Sequence, residues 1–194
     1  MNTNEADAGT QRPDEFSRHH LRLVAINPDD VHRVQQLVEA CSPESQYSRF
    51  LMGVGRVSTR FAADLCDFDA DTRRGYGLEA GDKRLVAHAS LLPDISDPGG
   101  RAGEVALLVR DDYQGRGLGG GLLRHLVRVA ASLGLTELRA DVLSGNRRVI
   151  GLIRRNGGQL AWADGSLREF VIPVPSDPSS VDRGVDVGPP RVRS

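Results

Sequence analysis

The stretch DDYQGRGLGGGLLRHL, Asp111–Leu126, sets five glycines between an apolar run, VALLV (Val105–Val109), and a leucine-rich segment. Glycine loses more conformational freedom on ordering than any other residue, so a cluster of it needs a physical reason. The segment after it has helical spacing. Leu118, Leu122, Leu126, Val129 and Leu133 recur on one face, Leu123, Val127 and Ala130 widen the stripe, and Gly134 ends it as a C-cap. A helix N-terminus presents unpaired N–H groups and a positive partial charge, and bare glycines let an anion reach them. The turn therefore reads as a cradle for a phosphate-type ligand, in preference to a flexible loop that holds nothing.

Working outward, Glu104–Val109 is a strand entering the turn, and Glu137–Val142 is a strand after the helix. Asn146–Asn156 forms the next helix, ending at Gly157-Gly158, and strands Gln159–Trp162 and Leu167–Val174 follow around a turn at Ala163–Ser166. On the N-terminal side, His20–Ile26 alternates as a strand. Asn27 then caps a helix, Pro28 takes its first position, and Val31, Val34, Leu37 and Val38 form its buried stripe. SPESQYSRF (Ser42–Phe50) repeats that opening with Ser42 and Pro43, and Ser58–Cys66 is a third short helix. Strands Arg73–Ala80 and Arg84–Leu92 are joined by a hairpin turn at Gly81-Asp82, and PDISDPGG links the second of them to Glu104. This order specifies an α+β domain with one sheet, not a regular alternation of strand and helix.

The 194 residues, 39% hydrophobic with a net charge of -1, suit one domain with a real core. Near-neutrality argues against a protein that coats nucleic acid or an anionic membrane. No apolar run approaches the ~20 residues of a membrane span, and MNTNEADAGTQRPDEF has no apolar core of a signal peptide. Cys41 and Cys66 show no CxxC and no histidine at ligand spacing, so they read as buried free thiols of a cytoplasmic protein without a metal. Residues 1–18 and 175–194 have the composition of disordered tails, leaving a domain at 19–174.

Two phosphate ligands compete for the turn. Gly115-x-Gly117-x-x-Gly120 matches a dinucleotide fingerprint, and Asp141 lies about twenty residues beyond, where a ribose-binding acid belongs. Against this, DDYQ separates Val109 from the first glycine, and the unit follows several strands instead of opening a parallel sheet.

The other is coenzyme A. Gln114-Gly115-Arg116-Gly117-Leu118-Gly119 resembles the Q/R-x-x-G-x-G/A signature of the GNAT (Gcn5-related N-acetyltransferase) superfamily. The resemblance extends through EVALLVRDDYQGRGLGGGLL and ADVLSGNRRVIGLIRRNGG, and spans about 19–173. Within the superfamily, SPESQYSRF and Glu104 are most similar to bacterial Pat-type protein lysine acetyltransferases. The resemblance implies a mixed sheet of about seven strands flanked by about four helices. It also implies transfer of an acetyl group from acetyl-CoA to a primary amine, either a protein lysine or a small amine, and a homodimer.

The resemblance assigns roles residue by residue. The pyrophosphate lies on backbone amides from Gln114 through Gly120, a run that includes Gly115, Arg116, Gly117, Leu118 and Gly119. The Leu108 amide is the oxyanion donor, Val109 pairs with the pantetheine arm, and Asn146 lies near that arm unless it only caps its helix. Glu104 is the general base, because an ammonium must lose a proton before it attacks. The helix tyrosine that protonates the leaving thiolate in many relatives is Ile153 here, so that acid is absent. That absence leaves open a second class, a non-catalytic acyl-CoA sensor. Glu79, Asp82, Asp94 and Asp97 are acids that could attract a cationic acceptor. Tyr47 and Tyr76 could line the acceptor side, with core packing the favoured reading; Trp162 reads as a core or interface residue, and His88 as a residue without a role.

Overall fold

The computed structural model describes residues 15–54, 56–69, 72–177 and 181. Among the described residues there are seven strands, as the resemblance implies, and five α-helices, one more than the about four it implies. They are β1 (Arg22–Ala25), α1 (Val31–Glu39), α2 (Pro43–Phe50), α3 (Thr59–Asp64), β2 (Arg74–Glu79), β3 (Leu85–Pro93) and β4 (Ala102–Val109). After these come α4 (Leu118–Ser132), β5 (Glu137–Leu143), α5 (Arg147–Arg155), β6 (Gln159–Asp164) and β7 (Leu167–Pro173).

Local chemistry sets the helix starts. Asn27 and Asp30 form a capping box around a short 3-10 turn at Pro28–Asp30, and α1 continues from it. Ser42 caps α2 by accepting from the Ser45 N–H at 3.2 Å, and Ser58 caps α3 by accepting from the Phe61 N–H at 3.1 Å. Gly134, at φ +76°, ends α4.

The strands form one sheet in the order β1-β2-β3-β4-β5-β7-β6. Every neighbouring pair is antiparallel except β4 and β5, which are parallel. Apolar residues alternate onto both faces. On one face Leu122, Leu123, Leu126, Leu138, Phe170 and Ile172 bury α4 against the sheet. On the other, Val34, Leu37, Val38, Ala62 and Leu108 join α1 and α3 to it. A sheet covered on both sides by helices places its ligand chemistry at strand ends and at gaps between strands.

Most of the expected tails lies outside the described residues. Phe16, inside the expected N-terminal tail, is buried against α4, and Val181, inside the C-terminal one, is also buried in that layer.

Candidate active site

The turn before α4 has backbone geometry that an anion could use. Gly115 and Gly117 have φ of +76° and +84°, a region costly for side-chain-bearing residues. Gly117 is the N-cap of α4, and no side chain caps the helix, so its first amides are left for a ligand. Not every glycine serves the cradle. A Cβ on Gly119 would meet Leu152 Cδ1 at 2.9 Å, and one on Gly121 would meet the Phe16 ring at 2.7 Å. Those two glycines admit α5 and the N-terminal segment to close packing.

The signature glutamine is a hub. Gln114 Nε2 donates to the Val109 carbonyl at 2.9 Å and to Ser45 Oγ at 3.0 Å, while its Oε1 accepts from Arg148. It thereby ties the turn to β4, α2 and α5. Arg116 faces solvent. Its Nη2 donates to the Asp112 carbonyl at 2.8 Å, and its guanidinium lies over the Tyr113 ring. Asn146 caps α5, its side chain accepting from the Val149 N–H at 3.1 Å.

β4 and β5 pair only at Ala102–Glu104 with Glu137–Arg139, then part. The gap that opens runs along β4 toward the glycine turn. Which amides face it follows from strand geometry, because successive backbone donors point to opposite edges. At the two ends of the β3–β4 ladder, Arg110 N–H donates to the Val86 carbonyl at 3.0 Å and Asp94 N–H to the Ala102 carbonyl at 3.1 Å. The register between them is continuous, with His88 opposite Leu108. Even-numbered residues of β4 therefore bond to β3, and the amides of Leu107 and Val109 face the gap. This corrects the expectation for Leu108: its N–H is turned to β3 and its side chain is buried under α1 and α3.

Glu104 is the last β4 residue paired with β5, opposite Arg139. It borders an open cavity of about 300 Å³ beneath the C-terminal end of α2. Arg49 and Phe50 of α2, Ser90 of β3, Asp94, Asp141 of β5 and Glu169 of β7 also line it. The Glu104 side chain remains open to solvent, yet its surroundings push its pKa up. Partial burial is the first cause, followed by the negative charges of Asp94, Asp141 and Glu169, with Arg139 opposing. Arg139 is itself engaged, to Asp94 at 3.0 Å and Glu137 at 2.9 Å.

Of the four acids expected to draw a cation, only Asp94 reaches this cavity. Glu79 is held by Arg22 and Arg33, Asp82 by Arg84, and Asp97 accepts backbone N–H bonds within its own turn. Sequence reasoning missed Arg49 and Glu169 and took Asp141 only as a ribose ligand. The alternation in ELRADV was a usable signal: Leu138, Ala140 and Val142 face the core, so Arg139 and Asp141 must face away from it.

Ile153 is buried in the core, so no side chain replaces the missing tyrosine there. Tyr76 packs edge-on against His125, with ring centroids 4.4 Å apart. Tyr47 is 47% exposed, which corrects its core-packing expectation, and Trp162 is 52% exposed, which removes the core alternative for it and leaves the interface one. His88 is buried with a ring nitrogen 3.0 Å from the Leu65 carbonyl. Cys41 and Cys66 are buried free thiols, and burial pushes them up to about 12 and about 11. Among the described residues no cluster suits a metal ion, and no helix is long and apolar enough to cross a membrane.

Residues 34–158 match the model of the Acetyltransferase (GNAT) family. The chain is 28% identical over 131 residues to an acetyltransferase of Pseudomonas aeruginosa, covering 66% of this chain and 69% of that protein. It is 39% identical over 99 residues to an L-methionine sulfoximine/L-methionine sulfone acetyltransferase of Pseudomonas paraeruginosa, covering 48% of this chain and 57% of that one. Among solved structures, the GNAT domain of the Streptomyces lividans PAT superposes with a TM-score of 0.74 at 26% identity, over 79% of this chain and 90% of that domain. The Vibrio cholerae spermidine N-acetyltransferase, solved with CoA and spermine, superposes at 0.63 over 80% of this chain and 96% of that one. Its 16% identity speaks to the fold alone.

The chain belongs to the GNAT acetyltransferase family. It is an acetyl-CoA-dependent N-acetyltransferase with Pat-like similarity, and the dinucleotide alternative is set aside.

Proposed function

We propose that the acceptor is a primary amine, small or on a protein lysine, and that it attacks the acetyl-CoA thioester directly with Glu104 as general base. The observation that carries this reading is the position of Glu104. It stands where β4 and β5 part, at the edge of an open cavity, with its pKa raised by burial and neighbouring carboxylates. A carboxylate there can take a proton from an ammonium, directly or through one water.

The amides at the start of α4, Leu118, Gly119 and Gly120, together with the turn from Gln114 to Gly117, would hold the pyrophosphate. Leu107, in place of Leu108, presents the N–H that meets the thioester oxygen as it gains charge. Val109 presents the next N–H along the gap, to the pantetheine arm. Asn146, at the mouth of α5, would border that arm while capping its helix. Glu104 takes one proton from the ammonium, the freed amine nitrogen bonds to the carbonyl carbon, the carbon–sulfur bond breaks, the nitrogen gives its second proton to water as the amide forms, and Glu104 returns its proton to solvent. With Ile153 buried, the thiolate leaves unassisted, as a group whose thiol has a pKa of roughly 8.5 can, and it takes its proton from solvent at neutral pH.

The relatives named for amino-acid analogues and the PAT domain frame the range of acceptors. Glu104 weighs against a non-catalytic sensor, which needs no base. A cytoplasmic location fits the two free thiols. A homodimer fits the exposed Leu160 and Trp162 on edge strand β6.

The test is thiol release from acetyl-CoA against a panel of amino acids, polyamines and lysine peptides, with wild type and Glu104→Gln. Acceptor-dependent release that collapses in the variant supports the reading. Release that is unchanged in the variant at every pH removes Glu104 from the reaction.

A further inference from the structure

We propose that the acceptor carries an anionic group of its own, a carboxylate or an isosteric anion, and that Arg49 receives it. The inference rests on the amine-acetyltransferase reading above and names its substrate class.

Arg49 lies in the last turn of α2 and lines the same cavity as Glu104. Its Nη2 donates to Ser90 Oγ at 3.2 Å, and its guanidinium lies 5.1 Å from the Phe50 ring centroid. Its Nε is buried and has no hydrogen-bond partner among the described residues. No carboxylate of the described residues pairs with it, whereas Arg139 in the same cavity has two. Burial alone pulls its pKa down to about 10, so it stays charged at neutral pH. A guanidinium with a buried, unpartnered Nε and no counter-charge is costly, and an anion bound in the cavity would supply what it lacks.

The opposite wall has the complementary fault. Asp141 of β5 and Glu169 of β7 are direct cross-strand partners, an arrangement in which like charges repel. Neither is paired with a basic side chain of the described residues. With Glu104 they form an acidic end suited to an ammonium. The two ends are close. Ser90 lies opposite Ala106 and Leu92 opposite Glu104, so Ser90 and Glu104 are diagonal neighbours on one face of the sheet. Such neighbours are roughly 7–8 Å apart. One small molecule can therefore span from the Arg49 anchor to the base.

A lysine side chain or a polyamine brings only positive charge and leaves Arg49 uncompensated. A zwitterion answers both walls. The coenzyme is not the missing anion, because the glycine cradle lies beyond Val109, on the order of 10 Å along β4 from Ala106.

The experiment compares matched acceptors with wild type, Arg49→Gln and Arg49→Lys: L-amino acids, their carboxamides, the corresponding decarboxylated amines and a lysine peptide. The expected result is kcat/KM at least tenfold higher for the amino acid than for its carboxamide. That gap should close in Arg49→Gln, be partly restored in Arg49→Lys, and leave KM for acetyl-CoA unchanged. Thermal melting of Arg49→Gln should occur at or above the wild-type temperature, because an uncompensated charge has been removed. Equal use of amino acids and carboxamides by wild type, or a gap that survives in Arg49→Gln, overturns the proposal. Turnover that prefers polyamines or the lysine peptide overturns it while sparing the amine-transferase reading. If no amine turns over, calorimetric titration of N-acetyl-amino acids and their carboxamides decides separately. Binding of the acids that is lost in Arg49→Gln upholds the anion site, and no binding of either overturns it.

Discussion

Asp111 holds Ser42 twice: one carboxylate oxygen accepts the Ser42 N–H at 2.8 Å, and the other accepts its hydroxyl at 2.7 Å. The second oxygen also accepts from the Ser45 hydroxyl at 2.7 Å. The turn leaving β4 thus grips the first turn of α2, where a negative charge also suits the helix dipole. The far end of the same helix carries Arg49 over the cavity. The serines of SPES are therefore docking residues as well as caps.

Asp111→Ala frees those donors to solvent and should destabilise the fold by about 1–2 kcal/mol, read from urea unfolding. The loss is modest because Asp111 is exposed and water screens its bonds. KM for the acceptor should rise more than KM for acetyl-CoA, since α2 roofs the acceptor cavity. Equal rises in both would separate α2 docking from acceptor binding.

Glu104→Gln should lower kcat by roughly 10²–10⁴-fold and remove the acidic limb of the pH–kcat/KM profile. In wild type burial and then Asp94, Asp141 and Glu169 raise Glu104, which moves that limb to higher pH. Asp141→Asn or Glu169→Gln removes one of those negative charges. The Glu104 pKa falls and the limb moves to lower pH. A limb that stays in place in both variants assigns it to another group.

Gly117→Ala places a side chain at φ +84°, at a cost of roughly 1–2 kcal/mol, and shifts the first amides of α4. KM for acetyl-CoA should rise about tenfold or more, with KM for the acceptor less affected. At Gly100, also at positive φ but in the loop between β3 and β4, alanine should strain the backbone without raising KM for acetyl-CoA. Measuring both variants distinguishes loss of the cradle from general strain.

His88 titrates in the unfolded chain near its ordinary value of about 6.5. In the folded protein it is pulled down to about 3, first by burial and then by the charge of Arg49. Between those values the unfolded state binds a proton that the folded state does not. Stability therefore rises with pH across this window, by up to about 1.4 kcal/mol per pH unit from this group, and gains nothing further above it. The urea midpoint of wild type should fall more steeply than that of His88→Gln as pH drops from 6.5. Parallel slopes would exclude His88 as the source.

What could be read from the sequence follows the range of the forces involved. Caps at Asn27, Ser42 and Ser58 are local hydrogen bonds, so the helix starts were legible to within a residue or two. The stripe from Leu118 to Leu133 and the glycine turn before it made α4 and its N-terminus legible. Register was not legible. Whether the Leu107 or the Leu108 amide faces the gap depends on which β4 residues bond to β3, and strand pairing is set across the whole sheet. The acceptor cavity was hidden for the same reason. Arg49, Ser90, Asp141 and Glu169 come from four separate elements, and only the strand order β3-β4-β5-β7 brings them together. Trp162 had no local signal of its own, and it fell on an edge strand.

The parting of β4 from β5 makes this a sheet with a tear in it. Beyond Glu104 the amides of Leu107 and Val109 have no strand to bond, and the extended arm of the acyl donor is the group of the right shape to fill the place. Loading the donor and finishing the fold then become one event. The free enzyme should exchange the Leu107 and Val109 amide hydrogens readily, hold them once acetyl-CoA is bound, and melt at a temperature that tracks the supply of its own substrate.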